Sequence, residues 1–219
     1  EINVNHPHFT GVKDAGATLE VNNSSLIKHF LSKNVINPDD ASLWLNEGTE
    51  IVQFTVTSTG NVTDFNIINS LSPEIDNELI RVLKTTDGMW KPGFKNGEPT
   101  TMEQEVSVVF GNNNDGKIVD HFIENATMCF NQGNKNFLFK HNTEKALKFY
   151  SQGVRYLPND QDLLLMRGMC YYELGDKEKA KKDWNRLASL GGIDSKNIGY
   201  DLVGMNGYSE MTNILANKY

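Results

Sequence analysis

The sequence predicts an α+β domain followed by an all-α helical one, on three observations. Apolar residues recur with period two at Val52, Phe54 and Val56 and again at Val106, Val108 and Phe110, the mark of strands with one buried face, and a β-rich run, Val62 to Ile68, follows the first. Beyond residue 116 that period is gone and only helical spacing remains. Between the two lies Gly111-Asn112-Asn113-Asn114-Asp115-Gly116, a linker by composition. The predicted boundaries are 1–23 for an irregular N-terminal arm, 24–112 for the α+β domain and 113–219 for the helical domain.

In chain order, residues 1–23 hold Pro7, Gly11 and Gly16 with little periodicity, hence the arm. Ser24-Ser25 offers an N-cap before Leu26, Ile27, Phe30 and Leu31, the stripe of a short amphipathic helix. Asn37-Pro38-Asp39-Asp40 reads as a second helix start, with Asn capping and Pro in the first turn; Ala41, Leu43, Trp44 and Leu45 follow, up to Gly48. Residues 51–68 form a β-hairpin, because Ser58-Thr59-Gly60-Asn61 tolerates the positive φ of a tight turn. Ser72-Pro73-Glu74 opens a helix over 73–86 whose Ile75, Leu79, Val82 and Leu83 share one face. That face needs a partner, and the inward sides of the strands provide one. Trp90 covers the open face of the sheet, Pro92 and Gly93 turn the chain, and Asn96-Gly97 supplies a further positive-φ turn before the last strand. The expected sheet is three-stranded and antiparallel, with helices on one face.

The run from Gly48 to Phe110 resembles the C-terminal domain of TonB, the periplasmic energy transducer for outer-membrane transporters. The matching elements come in order: strand Ile51–Thr57, the Gly60-Asn61-Val62 turn, Ser70, Ile75-Asp76, Trp90-Lys91-Pro92-Gly93, Asn96-Gly97-Glu98-Pro99 and the closing strand. With the segment Asn34 to Ala41, the resemblance covers about residues 24–110. It implies a binding module that takes a partner peptide as an added strand along the edge of its last strand. By motif position the partner-strand residues are Glu103, Glu105, Ser107 and Val109. Two departures stand out: Asn37 occupies the position of the family's Tyr before Pro, and the six prolines are scattered rather than gathered in a spacer.

The second half repeats. Ala146 and Ala180, Tyr150 and Trp184, His141 and Gly175, and Pro158 and Gly192 are each 34 residues apart. Leu164, Gly168, Tyr171, Gly175, Ala180 and Trp184 resemble the tetratricopeptide pattern of that period, over about residues 126–192. Helices are expected near 126–140, 143–156, 160–173 and 177–190, with Tyr208 to Ala216 as a capping helix that turns Met211 and Leu215 inward. Matching positions of the repeat pattern assign an inner groove to Asn131, Lys135 and Phe139 in the first copy and to Met169, Tyr172 and Glu173 in the second.

Composition narrows the chemistry. A net charge of −7 with no Lys/Arg block argues against nucleic acid as a partner. No apolar run approaches the roughly 18 residues that span a bilayer. Two cysteines, Cys129 and Cys170, allow one bridge by arithmetic, but their apolar helical surroundings fit small buried hydrophobes. No phosphate loop, CxxC, HExxH or GxSxG occurs, and His6-Pro7-His8 lacks an evident third ligand. The expectation is a non-enzymatic protein-binding module of the bacterial cell envelope without cofactor or metal. Its partner would be an outer-membrane transporter or another envelope protein, and the repeats would engage a second one. The alternative is a periplasmic scaffold or adaptor with no energy-transducing role. Because the chain starts at Glu1, a signal peptide or membrane anchor is expected upstream.

Overall fold

The computed structural model describes residues 2–12, 23–36, 47–111, 117–193 and 202–216. The chain divides into two compact units, Glu1–Gly111 and Asn112–Tyr219. The second helix expected from Asn37, and the linker residues 112–116, lie outside the described residues.

The first unit is built on one antiparallel sheet. Strands β3 (Gly48–Val56), β4 (Val62–Asn69) and β8 (Met102–Phe110) stand in the order β4-β3-β8, with β3 in the middle. The β3–β8 ladder runs unbroken from Gly48 opposite Phe110 to Val56 opposite Met102. The β3–β4 ladder shifts register twice, and Asp64, at φ 52°, lies at the second shift. Gly60 turns the hairpin at φ 85°, and a Cβ there would come within 2.3 Å of the Trp90 carbonyl oxygen, so only glycine fits.

Helices α1 (Asn23–Asn34) and α2 (Pro73–Lys84) precede and follow the hairpin. Ser72 caps α2 by accepting the Ile75 amide, and Pro73 takes the first turn, where it forfeits no bond. Ile75, Leu79, Val82 and Leu83 are buried with Val52, Phe54, Val56 and Val106 in one core, as the stripe predicted. Trp90 joins that core edge-on to Phe54 and donates its indole N–H to Thr86, whose hydroxyl donates to the Leu83 carbonyl. A large ring is thus buried with its polar atom satisfied.

The arm expected to be irregular contains two short strands, β1 (Val4–Asn5) and β2 (His8–Phe9). They pair with three-residue β6 (Gly93–Lys95) and two-residue β5 (Trp90–Lys91). Strand β7 (Glu98–Thr100) completes a hairpin with β6 across Asn96 (φ 53°) and Gly97 (φ 89°). A segment two residues wide carries no periodicity to read, and its pairing partner lies some 90 residues away, which is why sequence pattern missed it.

The second unit is a chain of helices: α3 (Ile118–Asn134), α4 (Thr143–Tyr156), α5 (Gln161–Glu173), α6 (Lys177–Ser189) and α7 (Tyr208–Ala216). The main contacts run α3 to α4, α4 to α5, α5 to α6 and α6 to α7. Asn142, Asp160 and Asp176 cap their helices by accepting the amides of Lys145, Leu163 and Lys179. His141 (φ 50°) and Gly175 (φ 89°), 34 residues apart, make the same left-handed stop.

The first helix departs from expectation. It begins at Ile118 rather than 126 and passes into a π-helical turn, Lys135–Phe139. A π turn inserts one residue into a helix. Its effect is visible in the packing: a Cβ on Gly133 would meet Tyr150 at 2.3 Å, and a Cβ on Gly168 would meet Trp184 at 2.3 Å. The two glycines do the same job, yet they are 35 residues apart while the rings are 34 apart.

Candidate functional site

Strand β8 closes the sheet on one side, and among the described residues no strand pairs with its other edge. Its side chains alternate: Val106 and Phe110 are buried, whereas Glu103, Glu105, Ser107 and Val109 are exposed. The structure therefore places the four predicted residues together on one outward face. Glu103 accepts a hydrogen bond from Gln53 of β3, and Gln53 accepts from Asn66 of β4, so a polar row crosses the sheet. Along β8 itself the outward face ends at Val109, an apolar side chain 43% exposed. At the other edge, the amide of Val62, which opens β4, is taken by the Asp87 carboxylate.

A nine-residue edge strand presents alternating N–H and C=O groups ready to pair with an extended chain. Flat pairing needs no cavity, and specificity then comes from alternate side chains on the two faces.

The predicted groove of the helical unit is not one surface. Asn131 and Lys135 are exposed, and Phe139 is 78% exposed at the end of the π turn. Met169 is a correction: it is fully buried in the helical core and offers nothing to a ligand. The step of 34 made it equivalent to exposed Lys135, and the extra residue of the π turn breaks that equivalence. Tyr172 lies against Trp184, with the Lys177 ammonium over its ring, and lines a shallow depression with Gly207, Glu210 and Asn213. Glu173 accepts the Thr143 hydroxyl, joining α5 to α4.

The strongest electrostatic feature of this unit was not foreseen. Arg167 of α5 grips Asp183 of α6 through two bonds of 2.8 and 2.7 Å, the aspartate nearly buried. Burial pushes the Asp183 carboxyl above its ordinary range, with the Arg167 bonds opposing, and the guanidinium is held above its own. The bidentate fork makes this a brace between helices. Burial also raises both cysteine thiols, Cys129 and Cys170, away from the reactive thiolate. Among the described residues no group of three His, Cys, Asp or Glu side chains could hold a metal ion.

Fold and edge together define a class: a small α+β domain with an open sheet edge, followed by a helical array. More particularly, residues 37–111 match the family model described as Gram-negative bacterial TonB protein C-terminal. The match spans β3 to β8, so the sheet and its edge are the matched part, and it points to a protein-interaction role in the envelope. No curated protein and no solved structure matches the chain. No helix among the described residues is long and apolar enough to cross a membrane.

Proposed function

We propose that residues 24–110 form a TonB-like module that binds an extended segment of an envelope protein by strand addition along β8. We further propose that the helical unit is a tetratricopeptide-like array that engages a second protein. The observation that carries the reading is the open nine-residue edge of β8 inside the segment that matches the TonB C-terminal model. The TonB likeness implies a periplasmic setting and a partner such as an outer-membrane transporter. Glu103, Glu105, Ser107 and Val109 then face the outward side chains of the added strand. For the second partner, Asn131, Lys135 and Phe139 offer one exposed region and Tyr172 with Glu173 a separate one, while Met169 is buried and takes no part. No step of this activity requires bond chemistry, so the module binds and positions.

The test is a photo-crosslinking residue at Glu105 or, separately, at Lys148 of the exposed helical surface, applied in envelope extract, with the crosslinked peptides sequenced. Strand addition predicts an extended transporter segment captured from position 105. Crosslinks from position 148 with none from position 105 would overturn it in favour of the scaffold reading.

A further inference from the structure

The N-terminal segment lies along the first unit as a bound peptide does. Its backbone follows the outer edge of β5 and β6 antiparallel, with Val4 opposite Lys95, Asn5 opposite Phe94, His8 opposite Lys91 and Phe9 opposite Trp90. Main-chain bonds close both ends: the Asn96 amide donates to the Asn3 carbonyl, and the Thr10 amide donates to the Met89 carbonyl, each at 2.8 Å. Two side chains anchor it. Phe9, 2% exposed, sits between the rings of Phe30 and Trp90, with centroids 5.3 and 5.2 Å away. Pro7 is buried over Gly93, where a Cβ would come within 2.4 Å of the Met102 sulfur and 2.9 Å of the proline ring, so the missing side chain makes room for both. Ahead of the anchors Ile2, Asn3, Val4, Asn5 and His6 are exposed, and His8 between them is half-buried.

These are the parts of a strand-addition site: an edge that supplies main-chain bonds and pockets that read alternate side chains. The held segment is short and extended; Asn3 to His6 are exposed, so its docking rests on two buried side chains, Pro7 and Phe9, and on main-chain bonds to the edge. We infer that residues 89–96, with Phe30, form a second peptide-recognition site for an extended segment of a partner protein bearing proline and, two residues on, an aromatic ring. Residues 3–10 occupy it in cis. This site uses a different edge from β8 and stands or falls independently of the reading proposed for that strand.

A tethered occupant competes at an effective concentration of about 1 mM. A ligand arriving in trans is therefore weakened by the fraction of sites already filled. The experiment measures anisotropy of a labelled peptide of residues 2–12 against the full chain and its Phe9→Ala variant. The Phe9→Ala chain, folded by circular dichroism, should bind at least tenfold more tightly than wild type, and the peptide with the same substitution should not bind. Equal binding to both chains, or none to either, overturns the inference. Should Phe9→Ala not fold, a protease site inserted between Ala15 and Gly16 gives a second route. The cut arm should dissociate on dilution, and the added peptide should rebind. Unfolding of residues 23–111 on loss of the arm would show an integral strand and overturn the proposal. Arms exchanged between copies in a wild-type dimer would overturn the partner-protein occupant.

Discussion

In the helical unit the main contacts join helices that follow one another in the chain, whereas in the sheet unit Asn3 bonds to Asn96, 93 residues on, and Gly48 lies opposite Phe110. The same contrast recurs inside the helical unit on a finer scale. Gly133 under Tyr150 and Gly168 under Trp184 are one contact made twice, the first pair 17 positions apart and the second 16. Local pairing writes itself into the sequence as period and spacing, and a single inserted residue is enough to blur it. Long-range pairing leaves almost no such trace.

The sharpest break of this comparison is at the glycines. Gly168→Leu should cost at least about 3 kcal/mol in urea melts, because its Cβ alone overlaps the Trp184 ring. Gly133→Leu should cost about as much. Asn134→Leu, at the position the 34-residue step would have chosen, should cost only about 1–2 kcal/mol through the lost bond from the Tyr150 hydroxyl. An Asn134 variant worse than the Gly133 one would remove the one-residue offset. Next comes Ala180→Leu, expected to cost about 1–3 kcal/mol at a fully buried position, against about 0.5 kcal/mol or less for Lys181→Leu.

In the sheet unit, proline scanning of β8 should split by parity. Alternate residues turn their N–H towards β3, so one parity among 103–109 should destabilise the sheet. The other should leave circular dichroism unchanged and abolish capture at the edge, while alanine there weakens it little. Folded proline variants that capture the same proteins as wild type would remove strand addition from β8.

These outcomes also bear on what was legible. The three strands of the main sheet, α2, and the Gly60 and Asn96-Gly97 turns were readable because period, caps and positive-φ residues are local signals. Helix α7 with Met211 inward was readable for the same reason. Glu103, Glu105, Ser107 and Val109 share a face because strand alternation dictates it. Phe9 was illegible as a core residue, since its pocket is assembled by Phe30 and Trp90 from distant parts of the chain. The Arg167–Asp183 brace was equally hidden, for nothing in either helix alone distinguishes it from two solvated charges.

Two smaller effects come from titration. Glu78 accepts bonds from Arg81 and from the Ile36 amide beyond α1, which hold its carboxyl at about 2 against an ordinary 4.5. The lowered value means the contribution is complete above pH 4.5 and is lost as pH falls towards 2. Glu78→Gln should flatten that stretch of an acid-unfolding curve. His8 is held below its ordinary 6.5 by partial burial and by Lys91 across the ladder. A released His8 takes up a proton more readily, so docking of the arm should weaken as pH drops below 6.5. Hydrogen exchange at the Thr10 amide measures it, and protection independent of pH between 7 and about 5.5 would discount His8 as a contributor.

The bond between Asn3 and Asn96 sets a timetable for the newborn chain. Ribosomes add about 5–20 residues per second, so roughly 5–20 s pass between synthesis of the arm and synthesis of its seat. Throughout that interval Ile2, Val4 and Phe9 have no docking edge, and Phe30 and Trp90 cannot yet close on the ring. A holdase that shields short apolar segments would find its target in residues 2–9, and the need for it would end once residue 96 has emerged.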